Sequence, residues 1–247
     1  MKARILSLIV VAVLMMVAMP IVYAKEPVSP SYDNYLTPED IEEYREQTQQ
    51  QIEKGYEAIA SMKLQANKKH ILRAAANSTL GVQLMRQDAS RWASTLIPGS
   101  NYTYSDAGCA MTSYAMVFSY YGSNVTPVDV GNTYYNRTNP QQSPIDFNVR
   151  TLVPMYSRSI SAIDTVSSRS SLEAVIVGGI FSGYPTVLKM TRSNGDTHFI
   201  VAYGCFQATA SDPTIIYIRD PESHINYSTL NKYYDKGWTA ANYVTVS

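Results

Sequence analysis

The stretch from Asp106 to Gly122, DAGCAMTSYAMVFSYYG, constrains the chain more than any other. Met111, Tyr114, Ala115, Phe118 and Tyr121 recur at the i, i+3, i+4, i+7 spacing of one apolar helix face, and Gly122 supplies a stop. Cys109 therefore stands at a helix start. Unsatisfied amides and the positive end of the helix dipole converge there and favour negative charge on the sulfur. That is an address for a nucleophile. A lone cysteine on an apolar helix is more often a buried structural residue, so the reading depends on partners elsewhere in the chain.

The beginning of the sequence says where such a thiol would work. Lys2 and Arg4 precede an apolar run from Ile5 to Met19, and Val22, Tyr23 and Ala24 form a small-residue cleavage site. Residues 1–24 are expected to be a signal peptide, cleaved after Ala24, with a secreted or extracytoplasmic mature chain. The apolar run is shorter than the ~20 residues of a membrane span, and no second stretch approaches that length. Formal net charge is zero, and no basic stripe suggests nucleic acid as a partner.

Residues 25–80 read as a helical N-terminal arm or pro-segment. Thr37, Pro38, Glu39 and Asp40 open a helix that carries a thin stripe of Ile41, Tyr44, Thr48, Ile52, Tyr56, Ile59 and Met62 to about Asn67. Such a helix buries little alone and is expected to be a spacer or a loosely docked arm. Residues 81–247 have the composition of a compact catalytic domain. Its first half reads as helical, with a short capped helix at Thr126–Asp129, a polar loop over Asn132–Ser143, and helices at Ile145–Tyr156 and Ser170–Gly183. The second half reads as antiparallel strands at Thr186–Thr191, His198–Tyr203, Thr214–Arg219 and Ala241–Val246. Asn194-Gly195 forms the first hairpin turn, and a short helix spans Leu230–Tyr234. The fold class is α+β, with the nucleophile helix packed on an antiparallel sheet.

Among three histidines, His70 lies in the arm and His224 in a polar loop, whereas His198 opens the apolar strand HFIVAY. His198 is the candidate base. If the next two strands form a hairpin over a loop from Cys205 to Pro213, centred on Thr209, Asp220 faces His198 directly, and the alternative acid, Asp212, falls far away at the loop end. A carboxylate there accepts one ring N–H and leaves the other nitrogen for Cys109. Cys109 and Cys205 are the only cysteines, and in an exported chain they suggest a disulfide. Cys205 lies roughly 23 Å along the strand from His198, so a disulfide and a Cys109–His198 pair exclude each other. The backbone N–H of Cys109 is one donor for an oxyanion; a side-chain amide from Gln83 or Gln87 is the second, and spacing does not choose between them.

Gln87 followed by Trp92, then GCAMTSYAMVFSYYG, TPVDV, GYPTVLKM, GDTHFIVAYG and YIRDP resemble the papain-like cysteine peptidases related to the double-glycine leader peptidases that mature bacteriocins. The resemblance covers roughly Gln83 to Pro221. It implies Cys109 as nucleophile, His198 as general base and acid, Asp220 as orienting acid and Gln87 as the oxyanion glutamine. Ala110 and Met111 depart from the smaller residues that often follow the cysteine, and no transporter domain accompanies the motif. The expectation is a secreted, stand-alone cysteine peptidase acting on a peptide or protein through a thioester, with no metal or organic cofactor. The alternatives are a cell-wall amidase or transglutaminase-like acyl transferase, or a non-catalytic binding module with a Cys109–Cys205 disulfide.

Overall fold

A computed structural model describes residues 38–70, 76–207, 214–225 and 227–247. The expected signal peptide and the rejected acid Asp212 lie outside the described residues. Helix α1 (Pro38–His70) begins where Thr37-Pro38 places a start. It is followed by strand β1 (Ala76–Thr79) and then, after a long irregular stretch, by α2 (Tyr104–Ala107), α3 (Cys109–Tyr120), α4 (Pro127–Arg137) and α5 (Val149–Leu152). Strand β2 (Ile160–Thr165) and helix α6 (Arg169–Phe181) lead into β3 (Thr186–Thr191), β4 (Thr197–Gln207), β5 (Ile215–Arg219), α7 (Leu230–Asp235) and β6 (Thr239–Val246).

The six strands make one antiparallel sheet in the order β1-β4-β3-β6-β2, with β5 on the other side of β4. Strand β4 is long enough to serve two neighbours on one side. Ala202 still pairs with Thr186 of β3, whereas Cys205, further along, pairs with Ser78 of β1 and with Ile216 of β5. Cys205 is thus a mid-strand residue, not the start of the expected loop. Along β4, Ile200 and Ala202 join the buried cluster of Leu172, Val175 and Ile176 from α6. Phe199, on the opposite face, meets Phe147, which in turn meets Tyr114 of α3. The sheet therefore separates α3 from α6, and the fold is α+β of the papain-like class.

Helix α3 is more deeply placed than a one-faced stripe implies, because Ala110 through Phe118 are all buried. A helix apolar all round belongs inside, and Phe118 stacks on Tyr156 at 4.0 Å. The polar loop expected over Asn132–Ser143 is shorter, since α4 runs to Arg137 with Val130 and Tyr134 buried. The helix expected over Ile145–Tyr156 is broken. A 3₁₀ turn at Pro144–Asp146, α5, and another at Val153–Tyr156 replace it, because Asn148 caps a new start through Arg150 N–H (2.9 Å) and Pro154 lacks a donor. Helix α6 starts one residue earlier than expected, at Arg169. Its cap is Ser168, which accepts from the Ser171 amide.

Helix α1 packs chiefly against α6 and β2. The crossing is close: a Cβ on Gly55 would lie 1.6 Å from the Ala174 carbonyl oxygen, and one on Gly178 would lie 2.6 Å from that of Gln51. Thr48, Gln51 and Gly55 are buried, with Ile52 and Ile59 against the α6 cluster, whereas Tyr56 is 48% exposed and is not part of the contact. The expected stripe is thus displaced toward the small residues that let two backbones approach. Among the described residues, no helix is long and apolar enough to cross a membrane.

Candidate active site

Two short-range devices set Cys109 at its helix start. Thr103 and Asp106 form a capping box on α2, the Thr103 hydroxyl donating to the Asp106 carboxylate at 2.6 Å and accepting from its amide. Hydrogen bonds from Thr103 hold the Asp106 carboxyl below its ordinary value. Gly108 then joins α2 to α3, its N–H donating to the Tyr104 carbonyl at 2.8 Å. A Cβ at Gly108 would stand 2.4 Å from that same oxygen, so the junction requires glycine by close approach. Cys109 follows as the first residue of α3 and is half-buried.

His198 is the second residue of β4, just past the turn in which Gly195 takes φ +89. Asp220 directly follows β5. The hairpin register differs from the expectation: Val201 pairs with Arg219 and Ala202 with Ile218, so one further step would set Asp220 opposite Ile200. His198 and Asp220 are therefore diagonal neighbours rather than directly opposed. The difference of two residues preserves the face on which each side chain emerges, and diagonal neighbours remain within reach of long side chains. The His198 Nε2 N–H donates to Asp220 Oδ1 at 2.8 Å, with the two residues only 5% and 3% exposed.

Asp220 is held from three sides. Besides His198, the Glu222 amide donates to Oδ1 at 2.7 Å and the Tyr233 hydroxyl donates to Oδ2. Cys109 also acts on the imidazole and favours its charged form, and with Nε2 committed to Asp220 the nitrogen left for a further partner is Nδ1. Burial opposes a charged His198, but the hydrogen bonds and charges of Asp220 and Cys109 outweigh it and push the imidazole up from 6.5 to about 9. Trp238 covers the ring with centroids 5.9 Å apart and is itself overlaid by the Arg192 guanidinium at 4.3 Å. Tyr233 and Trp238 were not legible in the sequence, where no spacing ties α7 or the short turn after it to His198.

Gln87 is brought to the same place and Gln83 is not. Gln87 is buried; its backbone N–H donates to Pro221 O at 2.8 Å and its side-chain Nε2 to Ser105 O at 2.9 Å, so it spans from the Asp220 loop to the approach of Cys109. Its Oε1 is buried without a hydrogen-bond partner. Arg86 reinforces the link by donating to the carbonyls of Asp220 (3.0 Å) and Glu222 (2.7 Å), while Arg219 donates to Val82 O at 3.0 Å. Gln83 is exposed and turns back to Gly81.

No disulfide joins Cys109 to Cys205. Cys205 is buried in the sheet, and burial pushes its thiol up to about 12. Among the described residues, Asp88, Glu222 and His224 bring ligand atoms within 4.8 Å of one another, a surface set that could hold a cation; Ser223 Oγ already donates to Asp88.

The helix-start thiol, the histidine at the head of a central strand and the antiparallel sheet between two helical layers define the papain-like class of α+β proteins. The family is narrower. The model of the Peptidase_C39 like family matches residues 79–246, which is more than half of the chain, and the chain belongs to that family. It is a cysteine-type peptidase, a hydrolase acting on peptides. Neither a curated protein nor a solved structure matches it.

Proposed function

We propose that the protein is a secreted peptidase that hydrolyses peptide bonds through Cys109, His198 and Asp220. In this reading the Cys109 sulfur, as thiolate, attacks the substrate carbonyl while His198 is imidazolium. The oxyanion is met by the Cys109 backbone N–H, which as the first amide of α3 has no intrahelical acceptor, and by the Nε2 N–H of Gln87 not given to Ser105. His198 then protonates the leaving amine from Nδ1, and a thioester forms. Water attacks the thioester, His198 takes its proton, and the sulfur leaves with the acid product released. Asp220 holds Nε2 throughout, which fixes the ring orientation and keeps Nδ1 toward the sulfur.

The observation that carries this reading is one imidazole hydrogen-bonded at Nε2 to a buried carboxylate 2.8 Å away, with a helix-start thiol whose influence favours its charged form. Export rests on the charged and apolar segments before Ala24; an exported chain beginning at Lys25 is expected on N-terminal sequencing. The decisive experiment is intact-mass labelling with iodoacetamide at neutral pH beside a peptidase assay. Cys109 should alkylate first and activity should fall in step, while Cys205, buried and with its thiol pushed up to about 12, stays unmodified in the folded chain. Equal rates at the two thiols, or full activity after Cys109 is blocked, would overturn the assignment.

A further inference from the structure

A second concave site lies away from the proposed reaction. An open cavity of about 590 Å³ is lined by α1, the segment 150–161, Tyr184 and Ser247. Lys54, Arg150 and Arg158 line it, and no aspartate or glutamate does. The chain carries 20 basic and 20 acidic residues, so three cations around one cavity form a local excess that the composition does not foreshadow. Low-dielectric walls strengthen the attraction of such a site for an anion. Ser247 also lines the cavity.

The site is built rather than assembled from mobile surface side chains. The Arg158 guanidinium carbon lies 4.8 Å over the ring of Tyr121, whose hydroxyl is anchored on Val246 O at 2.6 Å. Gln51 lines the cavity at 4% exposure, and its amide nitrogen is buried with no acceptor; the Arg158 Nε is likewise buried without a hydrogen-bond partner. Buried donors are normally satisfied, and an anion at this wall would offer the acceptor that the residues around it lack.

We propose that this cavity binds a small polyanion, a ligand bearing phosphate or clustered carboxylate groups. It bridges Lys54 and Gln51 of α1 to Arg150 and Arg158 of the catalytic domain, and so ties α1 to the body it rests on.

Inorganic pyrophosphate and citrate, added to the full chain at matched ionic strength with chloride as control, test the two sources of that chemistry. Calorimetry should give saturable binding of at least one probe, with a rise in melting temperature that chloride does not produce. The Arg150→Gln/Arg158→Gln double variant and the single variant Lys54→Gln should each weaken binding by about tenfold or more. Preference for one probe identifies the group recognised. Absence of saturable binding by either probe, or equal affinity in wild type and variants, overturns the proposal. If the double variant does not fold, Lys54→Gln, an exposed position on α1, decides alone. The readout is binding rather than cleavage, so its failure is separate from any failure at Cys109.

Discussion

His198 is the residue at which opposing physical effects are most closely balanced. Its burial penalises the imidazolium, while Asp220 and Cys109 favour it enough to hold the proton to about pH 9. Because this value lies above the unfolded value of 6.5, the group adds stability that is full below about pH 6.5 and is lost as pH rises through about 9. Chemical denaturation across that window should show stability declining toward pH 9, and His198→Gln should abolish this part of the decline. For the proposed reaction, kcat/KM should fall on an alkaline limb near the same value, as the imidazolium is lost. Asp220→Asn should lower kcat/KM by about 10²- to 10⁴-fold without unfolding the protein, since an amide no longer orients the ring as the carboxylate does. Tyr233→Phe removes only the donor to Asp220 Oδ2. It should cost about 1–3 kcal/mol of folding stability, with a smaller effect on kcat/KM than Asp220→Asn, measured by paired melts and rate assays. Equal catalytic losses in the two variants would assign Tyr233 a larger part in positioning the ring.

At the scale of elements, glycines set the two decisive junctions. Gly108 lets α2 end against Tyr104 so that α3 can begin at Cys109, and no other residue fits 2.4 Å from a carbonyl oxygen. Gly55 does the corresponding work in α1, where the backbone of α6 approaches so closely that any side chain would displace a helix. Gly55→Val should therefore destabilise the protein by about 2 kcal/mol or more, through separation of α1 from α6. The neighbouring exposed change Tyr56→Ala should leave the melting temperature nearly unaltered, because that ring lies outside the contact. A similar loss in both variants would mean that the stripe along α1, and not the glycine crossing, supports the helix.

Across the whole molecule, the sheet order separates the two roles of the chain. The proposed reaction gathers at β4 and β5 and at the start of α3, while α1 rests mainly on α6 and β2, the strand at the far end of the order. A chain beginning at Ala76 would uncover the close-packed face of α6. It should melt at lower temperature and show no gain in turnover on a generic peptide relative to one beginning at Lys25. Higher turnover in the shorter chain would instead identify α1 as an inhibitory segment. The same comparison bears on the cavity lined by Lys54 and Arg158, because its α1 wall is absent from the shorter chain.

What the sequence determined by itself were the local features. The apolar spacing and Gly122 place a helix behind Cys109, Asn194-Gly195 sets the turn before His198, and the apolar run HFIVAY marks the strand that follows. These depend on interactions a few residues apart, which a linear pattern records. Asp220 was found through a register two residues out; the error kept the strand parity, so the same face was chosen although the residue opposite was not. Only the tertiary structure decided the rest. Tyr233, Trp238 and Arg86 approach Asp220 and His198 from elements whose own patterns carry no trace of the meeting, and spacing does not separate Gln87 from Gln83, which differ in what they pack against. The short polar strand β1, Ala76–Thr79, pairs because β3 has ended and β4 has not, and the buried stripe of α1 shifts to Gly55 because α6 lies there. Such contacts reward proximity in space, and a residue's spacing along its own helix or strand does not contain it.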